Sequence, residues 1–349
     1  MPQIAQMRTE ISVLICEIRG YKKISGKLNF QNSMISHWRK YYVLFCVPVL
    51  ITAFTFFFSC NTEVGPEHAP NTPTSGVINV FCEEGFTIAI KNQAYTFEKI
   101  YANAKINVKY TTEKDAVEGL YRDSCKVIVI SRELNADETK KFTAANLFPK
   151  ASFIFKDAIA LVVNSSSPDS VISYDQLKAL LSGDTSAFPG GASVIFDNTN
   201  SSSVKFLRDS LLGGKDFGKN CFAMKNTAEL IDKIAVTKNA VGIMDYAWLS
   251  DKDEPLTQEY LKKIRTLAVS LPGSKTAYYP DQSNIQTGDY PFTKKVYIMR
   301  RTADFSLGAG FITFVAGPKG QIMLLNAGLA PWRQPERLIE VNMSPLTGQ

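Results

Sequence analysis

From residue 78 onward the chain alternates apolar runs of strand length with segments of helical period, and this alternation constrains its fold more than any other feature. Residues 78–81 predict a strand, Ile90, Ala94, Phe97 and Tyr101 recur on one helix face, and 106–110 predict a strand again. A helix at 115–121, a wholly apolar strand at 127–130 and a helix at 136–144 follow. Such βαβα order argues for a largely parallel sheet covered by helices on both faces. After a strand at 158–163, the Ser- and Pro-rich stretch 164–170 reads as a domain edge, and the pattern then begins again. Helices are expected at 174–181, 204–212, 228–235, 305–316 and 321–326, and strands at 194–196, 241–244 and 296–299.

Composition removes several functions. Only two histidines occur in 349 residues, His37 and His68, and both precede the first folded stretch. A catalytic histidine or a histidine-rich metal site is therefore excluded from the body, and neither a cofactor, a metal nor an enzymatic role is expected. The serines find no histidine base and no G-x-S-x-G elbow, and no phosphate loop of the G-x-x-x-x-G-K-[ST] kind is present. The net charge of +6 is concentrated before residue 60, where seven Lys/Arg face two Glu; 32 basic and 31 acidic residues remain. That near-neutral body gives no electrostatic footprint for nucleic acid. Cys82, Cys125 and Cys221 are too few and too scattered for a disulfide framework and read as buried apolar thiols.

Residues 42–59 (YVLFCVPVLITAFTFFFS) form an uncharged apolar stretch preceded by Arg39 and Lys40. Its length falls between a cleavable signal and a spanning helix. Phe57-Phe58-Ser59-Cys60, followed by polar residues, resembles a bacterial lipobox, with Cys60 as the lipidated residue and Phe57 in place of the usual leucine. An uncleaved anchor and ordinary signal cleavage are the alternatives, and each puts the body outside the cytoplasm; the lipid or the anchor would hold it at a membrane. Met34 gives a conventional short basic start, so 1–33 read as an over-long start within the leader 1–59. Residues 60–75, rich in proline, read as a flexible tether.

Three loops could carry chemistry. Glu83-Glu84-Gly85-Phe86-Thr87 joins the first strand to the first helix, where ligands bind in open α/β sheets; a plain strand-to-helix turn is the bland reading. Ser131-Arg132 follows the apolar strand 127–130, and such an arginine can clamp an oxyanion, although an ion pair with Glu133 explains it equally. The third, Asp197-Asn198-Thr199-Asn200-Ser201-Ser202-Ser203, ends a strand and caps a helix with more hydroxyls and amides than a cap requires.

Taken in order, these loops resemble the substrate-binding proteins of bacterial ABC transporters, specifically their phosphate-binding PstS-like branch. The resemblance spans about 77–331, with VIVISREL (127–134), DAIALVVNSSSPDS (157–170), VIFDNTNSSSVKFLRDSLL (194–212), AVGIMDYAWLSD (240–251) and YPFTKKVYIM (290–299) among its most specific pieces. It implies a two-lobed α/β type II periplasmic-binding-protein fold, each lobe a mostly parallel sheet flanked by helices. Lobe I would comprise 76–160 and 291–340 and lobe II 161–290, followed by a tail at 341–349, with crossover strands at 158–164 and 291–300. It further implies that Gly85, Phe86, Thr87, Ser131, Arg132, Asn198, Ser201, Ser202 and Ser203 surround phosphate or a similar oxyanion delivered to a membrane permease by a monomer. Glu83 and Glu84 depart from the family's small residues; carboxylates there repel phosphate unless protonated, turned away, or accepting a proton from it. They favour the rival reading, an envelope sensory or interaction lipoprotein that keeps the fold without transporting phosphate.

Overall fold

The computed structural model describes residues 65–334 except His68 and Gly190. The leader, Cys60, the start of the tether and the tail at 341–349 lie outside the described residues. The chain enters through β1 (Gly76–Glu83), turns through a single 3-10 turn (Glu84–Phe86) into α1 (Thr87–Ile100), and returns as β2 (Ala104–Thr111), parallel to β1. α2 (Glu113–Tyr121), capped by the Thr112 hydroxyl, leads to β3 (Val127–Ile130) on the other side of β1. α3 (Ala136–Ala144) starts at a capping box made by Asn135 and Glu138.

β4 (Lys150–Asn164) then runs fifteen residues. It is followed by β5 (Val171–Ser173), α4 (Tyr174–Leu181), β6 (Ser193–Phe196), α5 (Ser202–Leu211), β7 (Cys221–Ala223), α6 (Thr227–Val236) and β8 (Ala240–Asp245). The chain continues through α7 (Ala247–Ser250), α8 (Pro255–Lys263), β9 (Ile264–Thr266), β10 (Ala268–Ser270), β11 (Ala277–Tyr278) and α9 (Gln282–Thr287). It returns by β12 (Thr293–Arg300) and closes with α10 (Leu307–Ala316), α11 (Pro318–Asn326) and β13 (Ala330–Pro331).

The main sheet has the order β2-β1-β3-β12-β4-β8-β6-β7. Within each half the strands are parallel (β2-β1-β3 and β8-β6-β7), and every antiparallel pairing in this sheet involves β4 or β12. The first part of β4 pairs with β12 and its last part with β8 and β9, so one strand passes from one half to the other. This is the expected two-lobed arrangement of mostly parallel, helix-flanked sheets joined by crossing strands. The parallel strands read as apolar runs because they are covered on both faces; β3 is buried at all four positions and β8 at all six.

Each half has its own apolar centre. In the first, Phe97 packs edge-on to Phe311 and Phe314 with ring centroids 5.6 and 5.4 Å apart, joining α1 to α10, and Phe86 packs edge-on to Phe155 at 5.6 Å. Burying each such ring contributes about 1.5–3 kcal/mol. The second half centres on Leu177, Leu207, Ile231, Ile243 and Val162. Cys82 and Cys125 are buried and Cys221 half-buried, all three free thiols; burial pushes Cys221 up to about 11 and Cys125 up to about 12.

Candidate functional site

The parallel strands of both halves end toward one place. Glu83 ends β1, Ser131 follows β3, Asp197 follows β6 and Asp245 ends β8, the carboxyl ends at which open α/β sheets take ligands. β4 and β12 cross between these ends, and their register sets Lys294 opposite Asp157, while Ile159 pairs with Asp245.

Lys294 forms the centre. It shares the inward face of β12 with Val296 and Ile298, and its side chain is 3% exposed. Its ammonium pairs with Asp245 and donates to Ser202 Oγ at 2.8 Å and Ser203 Oγ at 3.2 Å. Burial works against the ammonium, but Asp245, Glu83 and Asp157 outweigh it and leave the pKa above the ordinary lysine value. Ser203 donates in turn to Asp245 Oδ1 at 2.6 Å.

Four carboxyl groups interact with this lysine: Asp245, Glu83, Asp157 and Asp197. Glu83 Oε2 accepts the Ser131 N–H at 3.0 Å, while Oε1 is buried without a partner. Neither oxygen of Asp157 has a partner in hydrogen-bond geometry, although the Ala158 and Ala247 amides lie near enough to favour its charged form. Burial raises Glu83, with Lys294 opposing it, and raises Asp157 well above the ordinary range. Burial, with Asp245 beside it, pushes Asp197 up to about 7. Glu84, half-buried, is raised by burial and then by Asp245. The acids next to the lysine are thus biased toward their neutral, hydrogen-donating form.

The residues singled out from sequence fall around two spaces. Ser131, Arg132 and Ser202 line an open cleft of about 630 Å³ together with Lys294, Lys205, Glu113, Phe206 and Tyr297. Gly85, Asn198 and Ser201, with Glu83 and Glu84, line a neighbouring space of about 20 Å³ closed by Asp245. Ser203 lines neither space; it is buried, with its hydroxyl on Asp245. Phe86 turns into the core, and the Thr87 hydroxyl donates to the Glu84 carbonyl at 2.7 Å. Ser201 caps α5, its hydroxyl accepting the Val204 N–H, and Asn198 accepts the Asn200 N–H.

Arg132 is held by carboxylates on two helices. Its Nε donates to Glu113 at 2.6 Å, its Nη1 to Glu138 at 2.6 Å and to the Glu133 carbonyl at 2.9 Å, and its Nη2 to Glu138 at 2.9 Å. These bonds use four of the five guanidinium N–H groups. The sequence alternative of a pair with Glu133 is realised only through its backbone. Glu113 also lies 4.0 Å from Lys205 of α5, so α2 and α5 meet across the cleft.

Sequence reasoning missed Asp157, Asp245, Lys294 and Glu113. The alternation of Lys294 with Val296 and Ile298 was the available signal, since it places a lysine on the buried face of a strand. Among the described residues, no group of three or more His, Cys, Asp or Glu is placed to hold a metal ion.

The PBP superfamily domain model matches residues 67–319. The phosphate-binding protein PstS of Borreliella burgdorferi is 22% identical over 247 residues, covering 66% of this chain and 81% of that one. A Clostridium perfringens protein crystallised with bound phosphate superposes with a TM-score of 0.61 at 13% identity, covering 74% of this chain and all of that one. An ABC-type phosphate transport receptor from Vibrio cholerae gives a TM-score of 0.55 at 14% identity, over 73% of this chain and all of the receptor.

Proposed function

We propose a function from one premise: the chain belongs to the PBP superfamily. It is a substrate-binding domain like those of the phosphate-binding proteins, with a type II periplasmic-binding-protein fold. On this reading it is an extracytoplasmic lipoprotein, anchored through Cys60, that captures phosphate or a similar oxyanion and delivers it to an ABC permease. Capture comes from lobe I (76–160 and 291–340) closing on lobe II (161–290), with no bond made or broken.

The observation that supports this reading is the 630 Å³ cleft, which is lined by Ser131 and Arg132 from one half and Ser202 from the other, together with Lys294. The guanidinium keeps one N–H free of the four bonds above, and the Ser202 and Ser203 amides that open α5 have no acceptor within their helix. Calorimetric titration of the full chain in detergent with phosphate, sulfate and molybdate tests it. Heat is expected from at least one of them, and Arg132→Ala is expected to weaken that binding at least tenfold while the folded state survives. No heat from any of the three refutes capture.

The second reading, an envelope sensory or interaction protein, draws its support from the 20 Å³ space, which admits about one water molecule beside Gly85, Asn198 and Ser201. It predicts that Arg132→Ala leaves cellular function intact.

A further inference from the structure

The most unusual feature of the site is where the Asp245 carboxylate lies. Its Oδ1 accepts from Ser203 at 2.6 Å and from the Lys294 ammonium. Its Oδ2 lies so close to Gly85 that a β-carbon on that glycine would run into it. The group thus sits between the Gly85 turn of the first half and the start of α5 in the second. In charge and hydrogen-bonding needs, a carboxylate held by an ammonium and a hydroxyl, and lying against a glycine turn, is one oxyanion among donors.

The surroundings make the arrangement costly unless the carboxylate is held for a purpose. Glu83, Asp157 and Asp197 all face the same interior, and each feels the Asp245 charge as repulsion. Lys294 is the buried cation among them, and all three of its protons are directed to Asp245, Ser202 and Ser203. Little is left for an incoming anion in the 20 Å³ that remain beside Gly85.

We propose that Asp245 is a built-in occupant of the anion position, a carboxylate that takes the donors a captured oxyanion needs, so that an external anion binds deeply only by displacing it. This rests on the reading of the cleft as an anion-capture site. Because the competitor is part of the chain, its effective concentration is at least in the millimolar range. The displacing ligand is accordingly a small oxyanion that is present at high concentration or offers more acceptor oxygens and charge than a carboxylate, as phosphate does. Asp245 then sets both the affinity and the preference of the site for tetrahedral dianions over carboxylates.

The test compares the wild-type full chain with Asp245→Ala and Asp245→Asn at neutral pH, titrating each with inorganic phosphate, sulfate and formate and following thermal shift in parallel. Removal of the carboxylate is expected to tighten phosphate binding at least tenfold. Formate is expected to raise the melting temperature of Asp245→Ala and to leave the wild type unmoved, because it refills the vacated position. Folding of Asp245→Ala only when phosphate or formate is present supports the proposal as well. If that variant is unfolded in every buffer, Asp245→Asn, which keeps the shape but not the charge, decides on the same phosphate criterion. Phosphate binding that is no tighter in either variant than in the wild type overturns the proposal and leaves the capture reading standing. Absence of anion binding by all three proteins overturns both.

Discussion

Asp197 is a carboxyl group that folding removes from water, and its protonation therefore couples to stability. Burial, with the Asp245 charge next to it, lifts its pKa from 3.8 to about 7. The folded state thus holds this proton more tightly than the unfolded chain does. The stabilisation is complete below about pH 4, falls away as pH rises, and is lost by the time pH passes about 7. Asp197→Asn keeps an oxygen to accept the Asn198 amide and removes the titration. It is expected to raise the melting temperature at pH 8 and to flatten its dependence between pH 4 and 7, as thermal melts across that range would reveal. An unchanged profile would contradict the assignment. At this scale the site was only half legible: Arg132 and the serines announced themselves by clustering at loop starts. Asp157, Asp245 and Lys294 each stand alone at the edge of an apolar run. Their meaning lies in the register of β4 against β12 and β8, which no single segment encodes.

Helices and strands with a long pattern of their own were legible in full. α1, α2, α3, α4, α5, α6 and β1, β3, β6 and β8 lie where the apolar spacing puts them. The first part of β4 was not, because Lys150, Lys156 and Asp157 interrupt its pattern; β12 makes it a strand by supplying the opposite edge. The same holds for three-residue strands such as β5, β7 and β10, too short to carry a period. α10 illustrates a further constraint invisible in periodicity. Its Leu307 N–H donates to the Asn71 side chain at 3.0 Å, and its Gly310 lets the Pro73 carbonyl lie directly against the helix. A β-carbon there would meet that backbone carbonyl, so Gly310→Ala is expected to cost about 1–3 kcal/mol, measured by urea unfolding. A neutral or stabilising result would show that the 71–73 segment yields without penalty.

Across the whole molecule, β4 is the common property of both halves: β12 and β13 lean on its beginning, β8 and β9 on its end. Unfolding either half strips hydrogen-bond partners from the same strand. Calorimetry of the full chain is accordingly expected to give one cooperative transition for the folded body; two well-separated transitions would mean that the halves melt independently.

The direction of β1 has a consequence for access. The chain joins the sheet at Gly76 and reaches Glu83 at the far end of the strand, roughly 20–25 Å away. The described residues just before Gly76, 70–75, therefore approach from the end of β1 opposite Glu83 and the space that Glu83 lines.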